Sequence, residues 1–231
     1  MATKKKIVGH SKRSRANAEL VVATPQAPAD AVKALRKFKA TKFNQTVNVV
    51  AHLGIDPKHA DQALRGAISF PHGTGKTARV VAFCASDKVE AAKAAGAVEA
   101  GAEDLVAKIE GGWMEFDVAV ASPDMMRVIA KLGKVLGPKG LMPSPKAGTV
   151  TPDVPGGVKA YAAGKTEYRN DDYGNIHCII GKLSFSDEQL TENLAHFIDT
   201  MAKVKPSSSK GLYFKKVCIS GTMTPSVQVA V

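Results

Sequence analysis

Residues 78–96 read ARVVAFCASDKVEAAKAAG, and this stretch decides the fold of the middle of the chain. Its first eight residues form an almost continuous apolar run, which is typical of a strand covered on both faces. Asp87 then supplies an N-cap for a run of helix formers that stops at Gly96. A strand over 117–121 (DVAVA) and a helix over 122–136, with Ser-Pro at its start, repeat the alternation. The pattern therefore predicts a small α/β domain with a parallel sheet and helices on its faces.

The segments on either side of this alternation have a different pattern. Residues 45–53 (QTVNVVAHL) alternate polar and apolar side chains, as in a half-buried strand. Within 166–185, the residues DDYG at 171–174 are predicted to form the loop of a hairpin. Further strands are predicted at 212–219 and 226–231, and helices over 29–40 and 186–203.

The economical arrangement joins the two flanks, because neither flank alone holds enough strands for a stable sheet. We predict that residues 1–70 and 159–231 form one discontinuous antiparallel α+β domain, and that residues 71–158 form an inserted α/β domain. The fold class is therefore α/β and α+β, with a Rossmann-like, three-layer insert. Gly156-Gly157 and residues 71–75 are the expected crossings between the domains, and together they would make a hinge.

The charge distribution indicates the class of partner. The chain has 231 residues and a formal net charge of +11. Residues 1–70 hold 13 Lys and Arg against 4 Asp and Glu, residues 71–158 hold 10 of each, and residues 159–231 hold 9 against 7. A basic excess confined to the flanks favours a polyanion such as nucleic acid. No stretch approaches the roughly 20 apolar residues of a membrane span, and no apolar segment follows the basic N-terminus. We expect a cytoplasmic protein without a membrane partner.

Enzyme chemistry has weak support in the sequence. Residues 73–77 (GTGKT) match the end of a phosphate-binding P-loop, but Phe70 occupies the place of the first glycine, and a strand is predicted where a helix should follow. The three cysteines are an odd number inside apolar runs, where buried thiols are expected, and no histidine spacing is typical of a metal site. We predict no catalytic residue, no cofactor and no metal. A nucleotide-dependent RNA factor that uses Gly75-Lys76-Thr77 remains the enzyme alternative.

Two polar segments of the flanks are candidates for RNA contact. Residues 42–46 (KFNQT) combine a cation, an aromatic ring and hydrogen-bonding side chains at a strand entry, and residues 220–226 (SGTMTPS) form a hydroxyl-rich turn. A-form RNA presents a shallow minor groove lined with 2′-hydroxyls, which suits small hydroxyl side chains. The structural alternative is that Phe43 is a core residue and that the hydroxyls only satisfy their own turn. The stiff loop 137–149 (GPKGLMPSPKAGT) is a weaker candidate for contact with RNA or protein.

Several longer stretches resemble one known family. They are FNQTVNVVAHLGIDPKHADQALRG (43–66), SFPHGTGK (69–76), ASPDMMRVIAKLGKVLGPKGLMPSPKAGTV (121–150), EYRNDDYGNIHCIIGKLSF (167–185) and SGTMTPSV (220–227). In this order they closely resemble the bacterial ribosomal protein L-one family, whose member is the protein of the mobile stalk of the large ribosomal subunit. The resemblance covers nearly the whole chain from about Ala29 onward.

This resemblance implies a structural, non-enzymatic constituent of the large ribosomal subunit. It implies binding to large-subunit rRNA through the discontinuous domain, release of deacylated tRNA from the exit site, contact with other large-subunit components, and repression of the protein's own mRNA through its leader. A free translational repressor without a place on the ribosome remains the alternative. The sequence has Thr224 where the family usually has Gly. The candidate RNA-binding residues are Lys42, Phe43, Thr46, Arg169, Asn170, Asp171, Gly174, His177, Ser220, Thr222 and Met223.

Overall fold

The computed structural model describes residues 11–39, 41–59 and 61–231. Lys4, Lys5 and Lys6 of the basic flank lie outside these ranges. The chain divides into two compact units. Unit 1 comprises the described residues of Met1–Leu64 together with Phe70–Thr74 and Arg169–Val231, and unit 2 comprises Arg65–Ser69 and Gly75–Tyr168.

The described residues form α-helices and strands that we number in chain order. The helices are α1 (Lys12–Glu19), α2 (Pro28–Lys37), α3 (Val89–Ala94), α4 (Glu103–Glu110), α5 (Met126–Ile129), α6 (Gly133–Leu136), α7 (Val154–Ala162) and α8 (Asp187–Lys203). The strands are β1 (Thr46–Leu53), β2 (Arg65–Ile68), β3 (Val80–Phe83), β4 (Glu99–Gly101), β5 (Val118–Ala121), β6 (Thr166–Arg169), β7 (Asn175–Lys182), β8 (Phe214–Gly221) and β9 (Ser226–Val229). No helix in the described part of the chain has both the length and the apolar character needed to cross a membrane.

Unit 1 is built on a four-stranded antiparallel sheet with the strand order β7-β1-β8-β9. At the start of β1, Thr46 lies opposite Lys182 of β7, and Val47 lies opposite Gly221 of β8. Alternate residues of β1 are buried, as the polar and apolar pattern predicted. The opposite, open face of the sheet carries the half-buried β1 residues Thr46, Asn48, Val50 and His52.

Helices α2 and α8 pack against each other and against this sheet. Helix α8 starts with a capping box: Ser186 Oγ accepts from the Gln189 N–H at 3.2 Å, and Gln189 Oε1 accepts from the Ser186 N–H at 3.0 Å. Further along α8, the fully buried Asn193 donates through Nδ2 to the carbonyls of Gly73 at 3.0 Å and Ile180 at 2.8 Å. These bonds tie the returning segment Phe70–Thr74 to unit 1.

Unit 2 contains a three-stranded parallel sheet with the order β4-β3-β5. Val81 and Phe83 of β3 pack into one core with α4, α5 and α6, whereas Val80 and Ala82 pack into a second core with α3 and α7. Helices therefore cover both faces, which makes three layers. The predicted fold class, an antiparallel α+β fold with a Rossmann-like three-layer α/β insert, is confirmed.

The boundaries of the compact units differ from the predicted ones. The predicted boundary at 158/159 falls inside α7, which is capped by the Asp153 side chain accepting from the Gly156 N–H at 3.1 Å. Val158 and Tyr161 of this helix belong to the core of unit 2, so unit 2 continues to Tyr168. The prediction of a hinge at Gly156-Gly157 is wrong, because both glycines lie within the helix.

Two predictions of local structure hold only in part. The 171–174 turn connects β6 to β7 as predicted, but the two segments share only the antiparallel bridge of Asn170 with Ile176. Along the rest of its length β6 pairs with β2, supported by the Arg65–Glu167 ion pair at 2.7 Å, whereas β7 pairs with β1. The predicted helix over 122–136 is divided into α5, α6 and intervening 3₁₀ turns. Gly133, which directly follows the 3₁₀ turn Ala130–Leu132 and begins α6, has the lowest helix propensity of any residue except proline.

Candidate nucleic-acid interface

Two of the predicted segments meet at the start of β1. The Thr46 N–H donates to Thr222 Oγ1 at 3.0 Å, and the Thr222 hydroxyl lies 3.3 Å from the Thr46 carbonyl, to which it donates. The segment that enters β1 and the turn between β8 and β9 are therefore bonded to each other, although they are 176 residues apart in sequence. Antiparallel pairing of β1 with β8 brings them together, because the start of one strand lies beside the end of the other.

The buried Gln45 adds a further hydrogen bond between these two segments. Its side chain is almost fully buried, with 1% of the residue exposed, and Oε1 accepts from the Met223 N–H at 2.9 Å. Its backbone carbonyl accepts from the Leu183 N–H at 2.8 Å. The sequence placed Gln45 in the candidate segment 42–46, but it gave no signal that this side chain is buried and connects the two segments.

The side chains next to these bonds point toward solvent. Phe43 is 52% exposed and Met223 is 51% exposed, and Lys42 is exposed beside them. The alternative that Phe43 is a core residue is therefore wrong. We call Lys42, Phe43, Thr46, Thr222 and Met223 together the paired-loop surface.

Two cations that sequence reasoning missed lie at this surface. Lys182 of β7 donates through Nζ to Thr46 Oγ1 at 2.6 Å, and Arg13 of α1 donates through Nη1 to the Met223 carbonyl at 2.9 Å. Lys182 could have been found only from the register of β1 and β7. Nothing in the sequence distinguishes Arg13 from the other basic residues of the N-terminus.

Thr224, where the family usually has Gly, fits the turn without strain. Its Oγ1 accepts from the Gly221 N–H at 2.8 Å. Positive backbone φ occurs only at glycines within the described ranges, so Thr224 adopts an ordinary conformation. Ser220 is half-buried in β8, opposite Asn48 and Ser226, and so lies on the open face of the sheet near the turn.

The second predicted group lies toward the opposite end of β1. His177 pairs with Val50, four residues along the strand from Thr46, which corresponds to about 13 Å. Gly174 accepts from the Leu53 N–H at 2.9 Å, at the far end of β1. The structure therefore separates Arg169, Asn170, Asp171, Gly174 and His177 from the paired-loop surface.

Several members of this second group shape their own loop. Asn170 Oδ1 accepts from the Leu64 N–H at 2.8 Å, and the Asp171 carboxylate accepts from the Tyr173 N–H at 2.9 Å and the Asn175 N–H at 2.7 Å. Desolvation alone would raise the pKa of Asp171, but the hydrogen bonds from Asn175 and Tyr173 outweigh it and hold the pKa below its ordinary value.

Two members of the same group are exposed instead. Arg169 ends β6, and the imidazole of His177 faces solvent from the open face of the sheet, 3.8 Å from the Asp171 carboxylate. These two side chains can reach a ligand, whereas those of Asn170 and Asp171 are engaged in hydrogen bonds within the protein.

The P-loop interpretation fails on geometry within unit 2. Lys76 Nζ donates to Asp117 at 3.2 Å, and Thr77 is followed by β3 and not by a helix. The backbone N–H of Arg79 also donates to Asp117 at 3.2 Å, which, with Lys76 and the Arg79 guanidinium, lowers the pKa of that carboxyl to about 2. Lys76 is thus the partner of a carboxylate. Across residues 11–39, 41–59 and 61–231, no group of three or more His, Cys, Asp or Glu is arranged to hold a metal ion.

Comparison with known proteins agrees with the stretches quoted above. A profile of the Ribosomal protein L1p/L10e family matches residues 35–225. The large ribosomal subunit protein uL1 of Nocardioides sp. is 52% identical over 203 residues, which cover 88% of this chain and 85% of that protein. The protein of the same name from Cutibacterium acnes is 48% identical over 220 residues, or 95% of each chain. The uL1 of Mycobacteroides abscessus is 50% identical over 202 residues, which cover 87% of this chain and 86% of that protein.

The fold and these matches define the chain as a ribosomal protein. It belongs to the Ribosomal protein L1p/L10e family, as its sequence stretches predicted. The family is a structural component of the ribosome, which confirms the prediction that the chain is not an enzyme.

Proposed function

We propose that this chain is a structural component of the cytoplasmic large ribosomal subunit and that it binds large-subunit rRNA through the paired-loop surface of unit 1. Two observations support the proposal. The relatives, which cover most of the chain, are named large ribosomal subunit proteins. The observation that carries the site is that Phe43 and Met223 are both about half exposed on loops that are joined by hydrogen bonds between the backbone of one loop and side chains of the other.

The chemistry of the paired-loop surface suits RNA. An exposed aromatic ring can stack on a base, and an apolar thioether beside it extends the contact area. Lys42 and Lys182 supply positive charge for phosphates, and small hydroxyls allow the RNA backbone to approach closely. Because hydrogen bonds already hold the two loops together, little additional ordering is needed when RNA binds.

The second group would act at the margin of this interface. Arg169 and His177 are the exposed members and would contact RNA directly. Asn170, Asp171 and Gly174 would act through the shape of their loop, and Ser220 through the open face of the sheet.

The remaining roles rest on the family resemblance. Unit 2 would serve the other partners, exit-site tRNA and further large-subunit components, with the stiff 137–149 loop as the first region to test. Repression of the protein's own mRNA would use a leader that imitates the rRNA site. A free repressor would instead fail to sediment with large subunits.

The direct test of the rRNA site is a pair of variants with similarly exposed apolar side chains. Phe43→Ala should weaken binding to a large-subunit rRNA fragment by about 1–3 kcal/mol, the range for loss of one stacked base. Val98→Ala in unit 2, where the parent side chain is also half exposed, should leave the affinity unchanged. Filter binding measures both, and equal affinities for the two variants would contradict the site.

Salt dependence separates the charged part of the contact from the rest. Affinity should fall between about 50 and 200 mM salt, and Lys42→Ala should reduce the logarithmic slope by about 1. An affinity that does not depend on salt would exclude phosphate contacts by this surface.

A further inference from the structure

Helix α1 is hydrogen-bonded to Met223 of the paired-loop surface and to Lys39, three residues before Lys42. Arg13 donates through Nη1 to the Met223 carbonyl at 2.9 Å, across 210 residues of sequence. The Met223 N–H donates to Gln45 Oε1 at 2.9 Å. Both backbone polar groups of Met223 are therefore fixed by other parts of unit 1, while its side chain stays half exposed.

The second contact of α1 is with the segment that leads to Phe43. Asn17 is 1% exposed, and its Oδ1 accepts from the Lys39 N–H at 2.8 Å. Arg13 and Asn17 are four residues apart, so they lie on one face of the helix, one turn apart. A single helix face thus holds the turn that carries Met223 and the segment that precedes Lys42.

Helix α1 is ordered by these contacts and not by its own stability. It has eight residues, fewer than an isolated helix needs in water, and one N-cap bond from the Ser14 N–H to Ser11 Oγ at 3.2 Å. The contacts of Arg13 and Asn17 therefore hold the helix against the rest of unit 1.

From these contacts we infer that α1 is a positioning element that preorganises the paired-loop surface for RNA. Arg13 acts through the Met223 carbonyl, as a positioning residue, and not as a phosphate ligand. The inference rests on the proposed rRNA site and extends it to a helix outside the matched family region, which begins at residue 35. We call the Arg13–Met223 and Asn17–Lys39 hydrogen bonds the α1 clamp. Without the clamp, part of the binding free energy would be spent on ordering the two loops.

The first test is hydrogen exchange in the free protein, which needs no RNA. Arg13→Ala should accelerate exchange of the Met223 amide, and Asn17→Ala that of the Lys39 amide. Lys12→Ala removes an exposed cation of the same helix and should change neither. Unchanged exchange at both amides in the Arg13 and Asn17 variants would overturn the clamp, even if the chain binds rRNA.

The second test separates positioning from charge. Arg13→Ala should weaken binding to the rRNA fragment about tenfold at every salt concentration, with the logarithmic salt slope unchanged, whereas Lys42→Ala should lower that slope by about 1. Asn17→Ala should also weaken binding without altering the slope. Combining Asn17→Ala with Arg13→Ala should cost less than the sum of the two, because both release one helix.

The outcomes distinguish this inference from the proposed function. A slope lowered by about 1 in Arg13→Ala, or wild-type affinity in that variant, would overturn the positioning role while leaving the rRNA site intact. Failure of the unaltered protein to bind the fragment would overturn the proposed site, and the exchange measurement would then decide the clamp alone.

Discussion

Thr222→Val removes a hydroxyl that is already engaged inside the protein. Thr222 Oγ1 accepts from the Thr46 N–H at 3.0 Å and donates toward the Thr46 carbonyl at 3.3 Å. Valine keeps the shape of the side chain and loses both bonds. The sequence leaves open whether this hydroxyl contacts RNA or satisfies its own turn, and in the structure it joins the start of β1 to the β8–β9 turn.

The size of the stability loss depends on whether water can replace the lost hydrogen bonds. Thr222 is exposed, so water can reach the freed Thr46 groups in part, and the loss is the net value of a hydrogen bond and not a full desolvation penalty. We expect Thr222→Val to lower the unfolding free energy of unit 1 by about 1 kcal/mol. For a chain of this size that corresponds to about 2–4 °C in Tm.

The assay is urea and thermal unfolding followed by circular dichroism, with Thr222→Ser as the matched control. Serine keeps Oγ and loses only a methyl group, so its stability should stay near that of the unaltered protein. RNA affinity should follow the same order, because the valine variant loosens the turn that presents Met223. Full stability in the valine variant, or equal losses in valine and serine variants, would refute the reasoning.

Three further predictions concern other parts of the chain. The pKa of Asp117 is lowered from 3.8 to about 2, so its stabilising effect on unit 2 is complete above about pH 4 and disappears as the pH falls toward 2. Asp117→Asn should make the free energy of unfolding in urea less dependent on pH in this range, and an unchanged pH dependence would contradict the assignment. Gly174→Ala should destabilise unit 1 more than Gly211→Ala, because both have positive φ, but only at 174 would a Cβ meet neighbours, Leu53 O at 3.2 Å and Ile55 at 3.3 Å; equal losses in thermal unfolding would argue against the crowding. Burial raises the pKa of Cys178 to about 12, whereas Cys218 is only half-buried, so a thiol reagent should modify Cys218 first in the native protein; Cys218→Ser should abolish that fast phase.

The sequence predicted elements where one local rule dominates. The alternation in 45–53 gave β1, and the Ser186 cap gave the start of α8. Both signals lie within a few residues, so no knowledge of distant partners was needed. The same holds for β3 and β5, whose short apolar runs require cover on both faces.

Failures arose where a distant partner decides the outcome. β6 pairs with β2, about 100 residues earlier in the chain, and the Gly-rich start of α7 is stabilised by Val158 packing into unit 2. The residues of the candidate site divide in the same way. Phe43 and Thr222 were suggested by their types, whereas Gln45 and Arg13 act through bonds that cross 178 and 210 residues.

The central place of β1 in the sheet also determines when unit 1 can form during synthesis. Thr46 bonds to Lys182 across 136 residues of chain, whereas the sheet of unit 2 closes within residues 80–121. At about 5–20 residues per second, β1 waits about 7–27 s for β7 to be made, and longer for β8. Unit 2 can fold during that delay, while the apolar side of β1 remains uncovered. The paired-loop surface therefore comes into existence late, once the chain has been synthesised past residue 222.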